Sequence, residues 1–338
     1  TIAYMASEEF AVLLNLKNPI APTLFQLIFI KSYFSTLGLI TIRYLIVTRK
    51  IVMYTILSFL MAFSSILISL WVLLIKKGGI YELYVYQTIA VAFFGVGYSL
   101  YLLSISGFNW SFKRLKSLII FALPMIPAAI SYYVMTSSDR FFLQKYTSTE
   151  DVGMYGVAYK IGSLILILIV VPVITSLSPY IYRLGNHKDG KIIISRLLEI
   201  VNFGFFAIAI GFSLLAPYLI RLITPPFYWP ASSVVIWINI AYVLYGLNFV
   251  LVAGINLSGK SYYQAIAITV AALLNLFFNS LLIPIWGITG AAVATTIAYF
   301  IQTLLTILFS QRLYMIPYRF FHTILISILI IATYFILE

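Results

Sequence analysis

Ten apolar stretches follow one another along almost the whole chain, at residues 22–48, 51–75, 82–105, 118–143, 153–180, 195–223, 231–255, 262–283, 287–310 and 319–337. A helix needs about 20 mostly apolar residues to cross ~30 Å of hydrocarbon. In lipid, only helices and closed barrels satisfy every backbone N–H and C=O. The stretches are too long and too continuously apolar for the alternating strands of a barrel, which run to ~10 residues each. The pattern predicts an all-α integral membrane protein of about ten transmembrane helices with almost no soluble part.

Composition narrows the chemistry. Charged residues make up 9% of the chain, against about a quarter in a soluble domain. The connecting loops are short, so no soluble catalytic domain is expected between the spans. There is no cysteine, which excludes disulfides and thiolate metal sites. The histidines, His187 and His322, fall near segment ends, and no metal site or cofactor is expected. No cleavable signal peptide is apparent.

The net charge of +12 invites a nucleic-acid reading, but the loops explain it better. Loops after the odd-numbered segments hold 13 Lys and Arg, among them Lys113, Arg114 and Lys116, whereas the alternate loops hold five, Lys76, Lys77, Arg140, Lys145 and Arg221. Basic loops stay cytoplasmic. The first segment is therefore expected to run from outside to inside, and no nucleic-acid partner is expected.

A faint internal repeat supports a transporter-like organisation. Gly79-Ile80, seven residues, then Thr88-Ile89-Ala90 opens segment 3, and Gly287-Ile288, seven residues, then Thr296-Ile297-Ala298 opens segment 9. Many transporters are built from such repeats. If segments 3 and 9 correspond, a complete first half needs three further spans before Thr1. The charge rule points the same way, since a chain starting inside reaches an outside-to-inside span at an even number.

Intramembrane ionisable residues are the leading functional candidates, because burying a charge is costly. Lys160 lies about two turns into segment 5, and Asp139 and Arg140 lie near the end of segment 4. The short connection makes these segments antiparallel neighbours, so Asp139 and Lys160 are expected to approach one another, as a structural ion pair or in a transport role. Lys31 and Arg43 lie on segment 1. Glu82, Glu199 and Arg221 fall at span ends, where an interfacial role is expected. The clustered tyrosines, Tyr81, Tyr84, Tyr86, Tyr132 and Tyr133 among them, read as an interfacial aromatic belt, with Tyr155 and Tyr159 as candidates for stacking on sugar. Pro124, Pro127, Pro172 and Pro179 mark kinks, and Pro284 ends segment 8.

Ser138-Asp139-Arg140-Phe141-Phe142-Leu143, followed by Glu150-Asp151-Val152-Gly153-Met154-Tyr155-Gly156-Val157-Ala158-Tyr159-Lys160-Ile161-Gly162, resembles the Wzx-type polysaccharide repeat-unit flippases of O-antigen and capsule synthesis. Leu123-Pro124-Met125-Ile126-Pro127 and Gly290-Ala291-Ala292-Val293-Ala294-Thr295 fit as well. That family belongs to the multidrug/oligosaccharidyl-lipid/polysaccharide exporters, which have two six-helix lobes. The resemblance implies that residues 1–111 are the later part of a first lobe, 112–117 a cytoplasmic basic linker, 118–310 the second lobe and 311–338 an additional helix.

It further implies a flippase of the inner membrane, a rocking clamp around a cationic cavity. The implied substrate is an undecaprenyl-diphosphate-linked oligosaccharide, met by Lys160, Arg140, Asp139, Tyr155, Tyr159, Lys31 and Arg43. A coupling ion and other polysaccharide-assembly membrane proteins are the implied further partners beside the lipid bilayer. No P-loop is present to make ATP the direct energy source. Two alternatives stay open: a drug/cation antiporter of the same superfamily, which would want more buried carboxylates, and a membrane polymerase or acyltransferase, which would want a sizeable outer loop or a buried acid/base constellation.

Overall fold

Long, continuously apolar runs leave the backbone one way to satisfy its polar groups in lipid. The computed structural model describes residues 21–107, 111–123, 125–185 and 187–337, and every regular element among them is helical. The first three stretches form α1 (Ala21–Val47), α2 (Ile51–Leu70, prolonged by a π-helical turn at Trp71–Ile75) and α3 (Ile80–Ser106). Glu82 caps α3, its carboxylate accepting the Gly79 N–H at 2.9 Å.

The fourth stretch departs from expectation. It splits into α4 (Phe112–Ala122) and α5 (Met125–Tyr146). The basic run Phe112–Lys116, expected as a linker, is the first turn of α4, and it contains no Gly or Pro to stop a helix. Pro124 lies outside the described residues. A proline lacks a donor and disfavours the helical conformation in the residue before it, here Leu123.

The fifth stretch starts earlier than expected. Ser148 caps α6 (Thr149–Ile165), its hydroxyl accepting the Asp151 N–H at 3.1 Å, so Glu150 and Asp151 are helical and favourably placed at a positive helix end. The helix continues through a π-helical turn, Leu166–Val170, into α7 (Val171–Leu184). Pro172 cannot donate to the preceding turn, and the wider turn just before it keeps the helix unbroken.

Then come α8 (Gly190–Ile223), a 3₁₀ segment Pro226–Val234, α9 (Val235–Leu251), the short α10 (Ala253–Leu257), α11 (Tyr262–Leu313) and α12 (Phe320–Leu337). Predicted spans 8 and 9 are the two arms of α11. Gly287, at φ +53°, breaks its helical path, a left-handed conformation that favours glycine. The chain reverses there. A Cβ on Gly290 would meet the Leu282 carbonyl oxygen at 2.3 Å, and the Tyr263 and Phe309 rings stand 5.0 Å apart. Among the described residues, seven helices are long and apolar enough to cross a membrane, α11 with its two arms among them. With the polar α5 and the shorter apolar α12, about ten spans result. The protein is an all-α, multi-pass membrane protein.

The chain divides into two compact units after Phe112. In the first, α1 packs along α3, and Gly95 sets the approach: a Cβ there would stand 2.3 Å from the Phe34 carbonyl oxygen. Small residues let helix backbones meet in lipid, where apolar contact alone drives nothing together. The Thr41 hydroxyl donates to the Tyr98 carbonyl at 3.0 Å, and the Tyr98 hydroxyl to the Leu57 carbonyl at 2.6 Å, tying α1, α2 and α3 together.

In the second unit α9 is the central helix, buried on nearly every side. Asn239 donates to the Ser213 hydroxyl on α8 at 2.8 Å. Asn248 donates to the Thr306 hydroxyl on the second arm of α11 at 2.9 Å. Helix α12 is held against α8 by Asn202, which donates to the Thr323 carbonyl at 3.1 Å. The repeated motif has a matching local form in each unit. Gly79 and Gly287 each stand at the start of a helix, and Thr88 and Thr296 are both buried, each donating to the carbonyl four residues back.

Candidate functional site

Helix α5 is the most polar of the spans, and its buried face carries Ser131, Met135, Ser138 and Asp139, spaced to lie along one side. Asp139 is fully buried. Its carboxylate accepts hydrogen bonds from the Tyr155 hydroxyl on α6 and, at 2.9 Å, from the backbone N–H of Arg140. A buried carboxylate without partners would be prohibitive; these donors, one of them on a neighbouring helix, stabilise it and lock α5 to α6.

The Arg140 guanidinium lies 4.9 Å from the centre of the Tyr159 ring, a cation–π contact. Tyr155 and Tyr159, one turn apart, have ring centres 5.7 Å apart. Tyr159 meets Tyr242 of α9 edge-on at 5.9 Å. The aromatic array continues through Tyr132, Tyr245 and Tyr299, each pair of neighbours 6.0 Å apart. The Tyr299 hydroxyl is buried without a hydrogen-bond partner. Beside this array the Ser138 hydroxyl donates to Asn275 Oδ1 at 3.0 Å, and Asn279 donates to Ser138 Oγ at 3.2 Å. The second unit thus holds a buried acid, a half-buried cation and a group of tyrosines inside an otherwise apolar bundle. Such an array presents positive charge, hydroxyls and ring faces, the groups that hold an anionic or polyhydroxylated molecule. Among the described residues no three His, Cys, Asp or Glu stand together to hold a metal.

Four of the seven residues singled out from sequence, Asp139, Arg140, Tyr155 and Tyr159, meet here. Lys160 does not join them, and the expected approach to Asp139 is not found. The buried face of α6 is formed by Tyr155, Ala158, Ile161, Gly162 and Ile165. At 3.6 residues per turn Lys160 points roughly 160° from the middle of that arc, and it is exposed. Arg43 is exposed on α1. Lys31 belongs to the first unit, where its ammonium donates to Gln87 Oε1 at 2.6 Å and Gln87 donates to Ser69 at 2.9 Å. It borders an open pocket of about 440 Å³ lined by Ser32, Ser35, Thr36 and Tyr84.

Of the residues expected at span ends, Arg221 lies 5.4 Å from the Trp229 ring and Glu199 lies 3.8 Å from Arg319. Tyr132, read as part of a belt, reaches the inner array instead. The sequence reading missed Tyr242, Tyr245 and Tyr299, which resemble the many other aromatics. It also missed Asn275 and Asn279, whose one-turn spacing in an apolar helix was a usable signal.

Comparison with known proteins agrees with this architecture. No curated protein matches the sequence. Among solved structures, the lipid II flippase MurJ in its inward closed conformation superposes with a TM-score of 0.78 at 18% identity, over 99% of this chain and 72% of that one. At that identity the likeness establishes a shared fold. The family model described as polysaccharide biosynthesis protein matches residues 4–228, which is most of the chain and includes α5, α6 and the Asp139–Tyr155 contact. The chain belongs to the polysaccharide biosynthesis protein family.

Proposed function

We propose that the protein is a flippase rather than an enzyme, moving lipid-linked oligosaccharide precursors across the cytoplasmic membrane. The substrate class is a polyprenyl-diphosphate, undecaprenyl in type, carrying a polysaccharide repeat unit. The observation that carries this reading is Arg140 laid over Tyr159 beside the buried Asp139–Tyr155 pair, in a chain of the polysaccharide biosynthesis family. Moving a diphosphate and sugar hydroxyls through bare hydrocarbon leaves polar groups unpaired at several kcal/mol each. Arg140 supplies positive charge and Tyr159 the ring it lies over, while the buried Asp139–Tyr155 pair holds α5 against α6. Lys160, Lys31 and Arg43 are not part of this reading: Lys160 faces away from the array, and Lys31 and Arg43 belong to the first unit. In this reading an ion gradient supplies the energy.

Deleting the gene should strand lipid-linked repeat units on the cytoplasmic leaflet and remove surface polysaccharide, with restoration by the intact gene. Normal surface polysaccharide with altered drug tolerance would replace this reading with the antiporter. Orientation follows from the basic α4. A cysteine at Ser117 should resist an impermeant thiol reagent on whole cells, and one at Thr147 should react; the reverse pattern would overturn the assignment.

A further inference from the structure

We infer that the second unit carries a binding site for an anionic glycerophospholipid, with one acyl chain in an apolar cavity beside α12 and the phosphate at Arg196 and Arg319. The cavity, about 530 Å³, opens between α8, α9, the second arm of α11 and α12. Leu198, Phe206, Leu247, Phe300, Leu304 and Ile328 are among its walls. The polar side chains around it are already partnered. Asn202 donates to the Thr323 carbonyl, the Ser327 hydroxyl donates to Asn202 Oδ1 at 3.1 Å, and the Thr303 hydroxyl donates to the Tyr299 carbonyl at 2.8 Å. What remains is hydrocarbon, and an apolar cavity takes an apolar guest rather than water. It is about three and a half times the ~150 Å³ cavity that holds one benzene, room for a chain on the order of 20 carbons.

Its length selects the guest. Along α12 the lining runs from Phe320 to Ile331, and along the second arm of α11 from Thr296 to Ile307. Either run is about 17 Å at 1.5 Å per residue, roughly half of the ~30 Å hydrocarbon layer. The cavity is therefore one leaflet deep, the reach of an ordinary acyl chain.

One end is basic. Leu198 and Phe320 line the cavity there, next to Glu199 and Arg319. The start of α12 is fixed by the Ser195 hydroxyl, which donates to the Pro317 carbonyl at 2.8 Å. The Arg319 side chain is 65% exposed, and its 3.8 Å contact with Glu199 leaves Glu199 Oε1 without a hydrogen bond, so the guanidinium keeps donors for a phosphate. Arg196, one turn from Glu199, is exposed as well. Basic pockets between spans at the cytoplasmic surface hold anionic head groups. This inference stands apart from the transport reading and uses no residue of the Asp139 site.

The test is lipid retention and stabilisation of the purified full chain. Phosphatidylglycerol in mixed micelles should raise the melting temperature more than phosphatidylcholine does, and native mass spectrometry should find phosphatidylglycerol retained. Arg196→Gln and Arg319→Gln should each weaken phosphatidylglycerol binding about fivefold, the effect of ~1 kcal/mol per basic residue near an anionic surface. Leu304→Trp, at a position 43% exposed, should fill the cavity and abolish retention while the lipid-free melting temperature stays at the wild-type value. If that variant does not fold, Ile328→Trp, at a position 58% exposed, serves instead. Equal stabilisation by phosphatidylcholine, undiminished retention in the double arginine variant or in a folded cavity-filled variant, or displacement of phosphatidylglycerol by equimolar polyprenyl phosphate would each overturn the proposal.

Discussion

Two stretches of almost equal apolarity end in opposite surroundings. Over its most apolar 18 residues, Ile51–Ile75 in the first unit has a mean hydropathy of 2.3 with 11% of residues buried, whereas the corresponding stretch of Pro226–Leu257 in the second has 2.0 with 78% buried. In water such a difference would show as a one-sided apolar stripe. In a membrane the lipid-facing side is as apolar as the packed side, so hydropathy locates a span without saying what it touches. The packed side is marked instead by small residues and by polar side chains with partners on neighbouring helices. The segment containing α9 has Gly246, Asn239 and Asn248, all buried, whereas α2 buries Leu57.

This contrast can be broken most severely at a close approach. Gly95→Val places a side chain against the Phe34 carbonyl and should separate α1 from α3, costing at least the ~1–3 kcal/mol of overpacking. The reading is loss of monodisperse protein in detergent and a lowered melting temperature. Gly97→Val, two residues on and facing open space, should leave both unchanged. Equal damage from the two would mean that the crossing of α1 and α3 is not set by Gly95.

A smaller effect is expected inside the polar site. Asp139→Ala leaves the Tyr155 hydroxyl buried without its acceptor, at ~1–3 kcal/mol, and should lower the yield of folded protein. Adding Tyr155→Phe should restore most of that yield, because the orphaned hydroxyl is then gone. Pairing Asp139→Ala with Lys160→Ala should restore nothing, since Lys160 faces away. Rescue by the lysine change would contradict the Asp139–Tyr155 contact.

The smallest effect concerns single bonds between spans. Ser213→Ala, which removes the acceptor of Asn239, should cost about 0.6 kcal/mol, the average for interhelical hydrogen bonds in lipid. Ser69→Ala, which removes the half-buried acceptor of Gln87 in the first unit, should cost less still. A larger loss at Ser69 would show that Lys31, Gln87 and Ser69 act as one polar unit.

These outcomes follow how much was legible in the chain. Among the described residues the apolar runs are helical, and the reversal at Gly287 and the π-helical turn before Pro172 fall at or beside a residue that breaks regular helix. The basic stretch from Phe112, where the two units divide, was expected as a loop because of its charge, whereas the absence of Gly or Pro left helix as the default. The short connection brings α5 and α6 together as expected, but the partner it was expected to give Asp139 was Lys160, whereas Tyr155, singled out for stacking on sugar, takes that place. Lys160 was misplaced because depth along a helix was weighed and rotation about its axis was not. Tyr242, Tyr245 and Tyr299 come from α9 and α11, far along the chain, and only tertiary packing brings them to Tyr159.

The central claim is that the array around Arg140 handles a lipid-linked anionic sugar during transport. The direct test is flipping of a polyprenyl-diphosphate oligosaccharide in proteoliposomes, with accessibility of the sugar to an external glycosidase as the readout. The intact protein should move the substrate, Arg140→Ala should slow it at least about tenfold, as a lost hydrogen bond to a charged group of ~1.5–3 kcal/mol implies, and Arg140→Lys should recover part of the rate. Wild-type flipping by Arg140→Ala at normal protein density, or no flipping by the intact protein, would contradict the claim.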